Sequence, residues 1–231
     1  FASAGNEIAY KFVTANPDDN WLVVASPDGS NSIAVEHLGD QTANVVVNWS
    51  PAGNVAGLYR KSSGLDSQEI FLLGKSGENF KSISAPGRGF EAQWSPGGKQ
   101  MLYSVYSTNT GYRPELHIVS AQGDDIGRFD KSLNLRTWPE KCVFAGDGLN
   151  LYCAAPLYLE QGSGIYKEVA ADAPDTIYKI NVKTGYKERI ARPVNESGFG
   201  FFTVSKLMLA SDESYLYFSE AGGGVNKIRL K

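Results

Sequence analysis

The pentapeptide Trp49-Ser50-Pro51-Ala52-Gly53 returns 45 residues later as Trp94-Ser95-Pro96-Gly97-Gly98. A looser copy, Phe144-Ala145-Gly146-Asp147-Gly148, follows after another 50 residues, and Leu209-Ala210-Ser211-Asp212-Glu213-Ser214 after a further 65. A chain that repeats at this period builds one supersecondary unit several times and stacks the copies, because a single unit cannot bury its own apolar face. Each copy is a turn with an apolar run before it, such as Val45-Val46-Val47 or Val204–Leu209. After it comes a short strand ending in an aromatic: Val55–Tyr59, Gln100–Tyr103, Asn150–Tyr152 and Tyr215–Phe218. Two such runs around a Pro/Gly/Asp turn form a β-hairpin.

A second hairpin follows in the units. Glu69–Leu73 turns at Lys75-Ser76-Gly77 into Asn79–Ile83, and Glu115–Val119 turns at Ala121-Gln122-Gly123 into Asp125–Phe129. Thr176–Val182 turns at Lys183-Thr184-Gly185 into Lys187–Ile190; near the start, Trp21–Ala25 turns at Pro27-Asp28-Gly29 into Ser32–Leu38. Four strands per unit at this period predict the blade of an all-β propeller. Alternating apolar residues and interrupting glycines disfavour a helical solenoid. Composition agrees: 25 glycines in 231 residues supply tight turns, and 12 Tyr and 11 Phe against two Met favour strands.

With the strands of a blade lettered a to d from the axis outward, the chain opens on a strand b (Glu7–Val13) and closes on a strand c (Val225–Leu230). Three full blades then stand between two three-stranded ones. They form a single propeller domain or fragment, 1–231, in units of approximately 1–43, 44–86, 87–134, 135–194 and 195–231. An unpaired strand edge is a liability, so the ends are expected to belong to a ring of six to eight blades or to be held by another chain. Phe1, with neither an initiator Met nor a leader, fits a processed chain or a piece of a longer one.

The Trp-Ser-Pro-x-Gly turn, followed by an apolar strand and a Gly-turned second hairpin, resembles the TolB-like, or PD40 (WD40-like), propeller repeat. The stretch from Trp94 to Tyr103 matches best and Trp49–Tyr59 next; the fourth unit lacks the Trp and Pro, and the fifth keeps only the spacing. The resemblance implies a bacterial, extracytoplasmic protein of the cell envelope that docks other proteins. Related blades also gate the active site of prolyl-oligopeptidase-like hydrolases.

Cys142 and Cys153 flank the turn Asp147-Gly148 symmetrically. In a two-residue hairpin loop they face each other, with Cα atoms roughly 4.5–5.5 Å apart, inside the range of a disulfide. Such a bridge belongs to an oxidising compartment. Two Cys and the distant His37 and His117 do not make a four-ligand zinc site.

Catalytic signals are weak. There is no Gly-x-Ser-x-Gly elbow, and His37 and His117 sit in strands where a histidine normally packs. Gly87-Arg88-Gly89 and Gly222-Gly223-Gly224 lack the strand–turn–helix context of a phosphate loop. The pairs Asp18-Asp19, Asp124-Asp125 and Glu160/Glu168 read as solvated turn acids without the spacing of a calcium loop. No catalytic residue, metal or cofactor is therefore expected. A net charge of -3, with 22 Lys+Arg against 25 Asp+Glu and no basic cluster, argues against nucleic acid. No apolar run reaches the roughly 18 residues of a membrane span. The sequons Asn48-Trp49-Ser50, followed by Pro51, and Asn195-Glu196-Ser197 carry little weight.

Binding is expected in the loops, where rigid scaffolds usually carry it. The a–b and c–d turns are short. The b–c connections, Ala15–Asn20, Lys61–Ser67, Tyr106–Pro114 and Pro156–Asp175, are longer, and the last explains the 65-residue spacing. The candidate binding residues are Tyr106, Tyr112, Arg113, Tyr158, Glu160, Tyr166 and Lys167, since Tyr and Arg are preferred interface anchors. The expected function is a non-enzymatic extracytoplasmic scaffold whose partner is another protein of a cell-envelope assembly, or the remaining blades of its own chain. The alternatives are a propeller gating a hydrolase encoded elsewhere in the chain, and a lactonase- or lyase-like enzyme with a metal in the central channel.

Overall fold

The computed structural model describes residues 1–2, 4–195, 197–198, 201–220 and 222–230. They form five antiparallel sheets in chain order. The first holds β1 (Ile8–Phe12), β2 (Trp21–Ala25) and β3 (Ile33–His37); the second β4 (Val45–Val47), β5 (Val55–Gly64), β6 (Ser67–Gly74) and β7 (Ile83–Ala85). The third holds β8 (Arg88–Trp94), β9 (Gln100–Tyr106), β10 (Glu115–Ser120) and β11 (Lys131–Ser132). The fourth holds β12 (Cys142–Phe144), β13 (Asn150–Pro156), β14 (Asp175–Asn181) and β15 (Lys187–Ala191), and the fifth β16 (Val204–Leu209), β17 (Tyr215–Glu220) and β18 (Val225–Arg229). Three full blades thus lie between two three-stranded ones, and the helical segments are all short 3-10 turns.

The repeated turn is held by its own residues. Ser50 N–H donates to Val55 O at 2.9 Å and Gly53 N–H to Ser50 O at 2.8 Å; Ser95 and Gly98 repeat both bonds. The serine hydroxyl accepts from the Ala52 N–H in one copy and from the Gln100 N–H in the other. Gly53 and Gly98 stand at φ of 78° and 67°, the left-handed region where a Cβ is strained, which is why the motif ends in glycine.

The core lies between blades. Leu22, Val24, Val45, Ala56 and Leu73 seal the first sheet on the second, and Ile70, Ile83, Phe90, Trp94, Met101 and Tyr103 seal the second on the third. Leu102, Leu116, Leu133, Leu151 and Ile180 fill the third seam, while Tyr152, Ile177, Val204, Leu207 and Phe218 fill the fourth. Cys142 lies directly opposite Cys153 and the two are bonded, with Cα atoms 4.1 Å apart, closer than the expected separation.

Three sequence expectations need correction. The outer strand of the third blade is not Asp125–Phe129 but β11, paired through His117 and Ile118; Gly123–Asp125 is a 3-10 turn, and Phe129 at φ 55° breaks extended backbone. The outer strand of the second blade is Ile83–Ala85, with Asn79 making only an isolated bridge to Leu73. Lys61–Ser67 is not a loop: β5 and β6 stay paired to Gly64 and Ser67, leaving Leu65 and Asp66 at the tip. Of the sequon at 195–197, Glu196 lies outside the described residues.

Candidate functional site

The b–c connections gather at one end of the sheets, and the longest of them, between β13 and β14, is a folded unit. Its neck is closed by the Pro156–Asp175 pairing and by the Leu157 N–H donating to Pro174 O at 2.9 Å. Inside it Ser163, Ala170 and Ala173 are buried, and Lys167–Ala170 forms a 3-10 turn. Small residues at these points let the segment fold down on its neighbour.

That neighbour is the β9–β10 connection. Gly162 N–H donates to Gly111 O at 3.1 Å, Gly164 N–H to Tyr112 O at 2.8 Å, and Arg113 Nε–H to Leu159 O at 2.8 Å. At Gly164 a Cβ would meet the Tyr106 Cβ at 2.6 Å and the Tyr112 carbonyl oxygen at 2.8 Å, so only glycine lets the two backbones approach this closely. Tyr106 and Tyr112 meet edge to face at 6.5 Å, and the Arg88 guanidinium lies 5.7 Å from one ring and 5.6 Å from the other. Arg88 is also 3.5 Å from Asp66, whose carboxyl the hydroxyl and N–H of Thr108 hold below the usual carboxylate range.

The far end of the insertion is tied to the axis. Lys167 Nζ binds the carboxylates of Glu91, on β8, and of Glu140, just before β12, and lies 5.5 Å from the centre of the Trp138 ring. Burial alone would lower its pKa; the bonds to Glu140 and Glu91 outweigh this and hold the ammonium above the usual lysine range. Glu91 and Glu140 line a funnel of about 970 Å³ between the inner strands, together with Asn48, Gln93, Ser205 and Lys206.

The seven sequence candidates therefore divide. Tyr106, Tyr112 and Arg113 converge beneath the insertion and Lys167 anchors its far end, all four half-buried and occupied by contacts within the chain. Tyr158, Glu160 and Tyr166 point to solvent, the two tyrosines 61% and 64% exposed. Leu157, Ile165 and Val169 are exposed alongside them, and Leu65 at the β5–β6 tip is exposed on the same end. These four apolar residues were not among the candidates; their signal was apolar character in segments with no strand partner to cover them.

The histidines are structural. His117 is buried, stacked 5.1 Å from Tyr103, with Nδ1 at 3.3 Å from Asp130; Tyr103 donates its hydroxyl to the same carboxylate at 2.6 Å. His37 Nε2 lies 2.9 Å from the Asp18 carbonyl oxygen, its ring against Trp21. Among the described residues no three His, Cys, Asp or Glu side chains converge as a metal site requires. Among the described residues no helix is long and apolar enough to cross a membrane.

No family model and no curated protein matches the sequence. Solved structures do. TolB from Acinetobacter baumannii superposes with a TM-score of 0.55 at 18% identity, over 97% of this chain and 53% of its own. An oligogalacturonate lyase solved in complex with manganese gives 0.57 at 14% identity, over 90% of this chain and 53% of its own. An acylaminoacyl peptidase from Pyrococcus horikoshii gives 0.58 at 13% identity, over all of this chain and 38% of its own. The chain spans about half the length of the first two. At these identities the likeness establishes the fold, a β-propeller of the kind seen in TolB.

Proposed function

We propose that this chain is a non-enzymatic propeller scaffold that binds another protein through its b–c loop face. One observation carries the reading: an insertion fastened at both ends exposes Tyr158 and Tyr166 with Leu157, Ile165 and Val169. Large amphipathic side chains on a fixed backbone bind with little ordering cost, the condition under which such residues become interface anchors. A compact domain has no internal reason to hold five exposed apolar residues within one thirteen-residue stretch, 157–169. Tyr106, Tyr112 and Arg113 of the neighbouring connection, with Lys167 of the stretch itself, act by fixing it in place, and Glu160 lies exposed within it.

The compartment is extracytoplasmic, a periplasm or cell surface, supported by the Cys142–Cys153 bridge and the TolB-like fold. The five sheets, in units of approximately 1–43, 44–86, 87–134, 135–194 and 195–231, are part of a six- to eight-bladed ring.

A photo-crosslinking residue at position 166, in the protein expressed in its native host, tests this. The expected product is one defined foreign polypeptide, lost when Tyr158 is changed to Ala, with no product from the same probe at Tyr186 on a c–d turn. Crosslinks confined to this chain, or equal labelling from both positions, would overturn the proposal.

A further inference from the structure

Within the insertion itself the charges are one-sided. The stretch from Leu157 to Ala173 holds Glu160, Lys167, Glu168 and Asp172 as its ionisable acids and base. Lys167 is consumed by Glu91 and Glu140, and the Arg113 guanidinium beneath the loop donates to the Leu159 and Thr110 carbonyls. The carboxylates of Glu160, Glu168 and Asp172 are exposed and take part in no ion pair or side-chain hydrogen bond among the described residues. The cations of the insertion and its support thus face inward and its uncommitted anions face out.

Resting on the reading of this loop as the binding face, we infer that the partner presents a basic amphipathic polypeptide segment, Lys or Arg interleaved with apolar side chains. Its apolar residues cover Leu157, Tyr158, Ile165, Tyr166 and Val169, and its cations meet Glu160, Glu168 and Asp172. An anionic membrane surface or an acidic peptide is disfavoured, because either sets like charge against three carboxylates while the apolar contact forms. The carboxylates set specificity and encounter rate; the tyrosines supply the buried area.

The test titrates the whole protein with three synthetic peptides of equal length, alternating Leu with Lys, Leu with Glu, and Leu with Ser, followed by calorimetry. The Leu/Lys peptide is expected to bind more tightly than the Leu/Ser one, and the Leu/Glu peptide not to bind. The triple variant Glu160→Gln, Glu168→Gln, Asp172→Asn should weaken Leu/Lys binding about tenfold and remove most of its salt dependence. Tyr158→Ala with Tyr166→Ala should abolish it, and Tyr186→Ala should leave it unchanged. If all three peptides bind alike, and only the tyrosine variant abolishes binding, the basic-partner inference falls while the loop face stands. If no peptide binds, or binding ignores both sets of substitutions, the inference and the loop-face reading fall together. Preferential binding to phosphatidylglycerol vesicles would also overturn the inference.

Discussion

At the scale of single residues, aspartates hold the turns. Asp147, in the β12–β13 turn, accepts from the N–H groups of Leu149 at 2.7 Å and Asn150 at 3.0 Å, and from the Asn150 amide at 2.8 Å. Burial alone would raise its carboxyl; the bonds from Asn150 and Leu149 outweigh it, with Lys179 assisting, and hold it below the usual range. Asp28 is held low in the same direction by the hydroxyl and N–H of Ser30. An acid whose folded pKa is depressed gives stability that is fully present above the unfolded carboxylate value and is lost as pH falls through the folded one. Asp147→Asn keeps an oxygen acceptor but carries no charge to lose. Its melting temperature at pH 7 should fall by only about 1–2 °C. Between about pH 5 and pH 3 its acid-induced decline should be shallower than that of the wild type. Parallel melting curves across that range would mean that the carboxylate contributes nothing through its charge.

At the scale of elements, the β12–β13 hairpin and the insertion behind it show what a sequence reveals and what it hides. The bridge was legible because an even-numbered loop fixes pairing by counting: Cys142 and Cys153 are symmetric about it, although the loop is the four residues 146–149, closed by the Ala145 N–H on Asn150 O, and not the expected two. The blade repeat was legible for the same reason, since period-two alternation and turn chemistry are local. The outer strand of the third blade was not, because a left-handed Phe129 and a 3-10 turn displaced the pairing that alternation suggested. Nor was the inward commitment of Arg113 and Lys167, which depends on carbonyl and carboxylate partners 46 and 76 residues away. Two outcomes follow at this scale. Cys142→Ser with Cys153→Ser should lower unfolding free energy by about 2–3 kcal/mol, the entropy of opening so short a loop, as read from denaturant midpoints. Gly164→Ala adds a Cβ that the Tyr106 side chain and the Tyr112 carbonyl oxygen leave no room for, so the insertion should lift off while the sheets persist. Trypsin should then cut within 157–174, at Lys167, many times faster than in the wild type, with the main unfolding transition still cooperative. An unchanged cleavage rate would show that the loop tolerates the methyl by moving as one piece.

At the scale of the whole molecule, stability is a series of seams, each core cluster joining two sheets adjacent in chain order, so a defect in one seam need not spread. The fourth seam carries a buried ion pair that the others lack among the described residues. Lys141 Nζ binds both oxygens of Asp175 at 2.9 and 2.8 Å, and Asp175 also accepts the Val204 N–H at 2.7 Å where the fifth sheet begins. The carboxylate is fully buried, and burial pushes its pKa up against the pull of Lys141 and that N–H. Such a pair adds little net stability over an apolar packing, yet removing one partner strands the other charge at a cost of about 3–5 kcal/mol. Its effect here is directional: the first N–H of β16 has an acceptor in only one docking of the fifth blade on the fourth. Asp175→Ala should therefore release that blade before the rest. Hydrogen exchange should quicken across β16–β18 and leave β4–β7 near wild-type rates, while Asp175→Asn, which keeps an oxygen for Val204, should release it less. Uniformly faster exchange in every sheet would mean instead that the seams fold as one unit and that the ion pair sets no local junction.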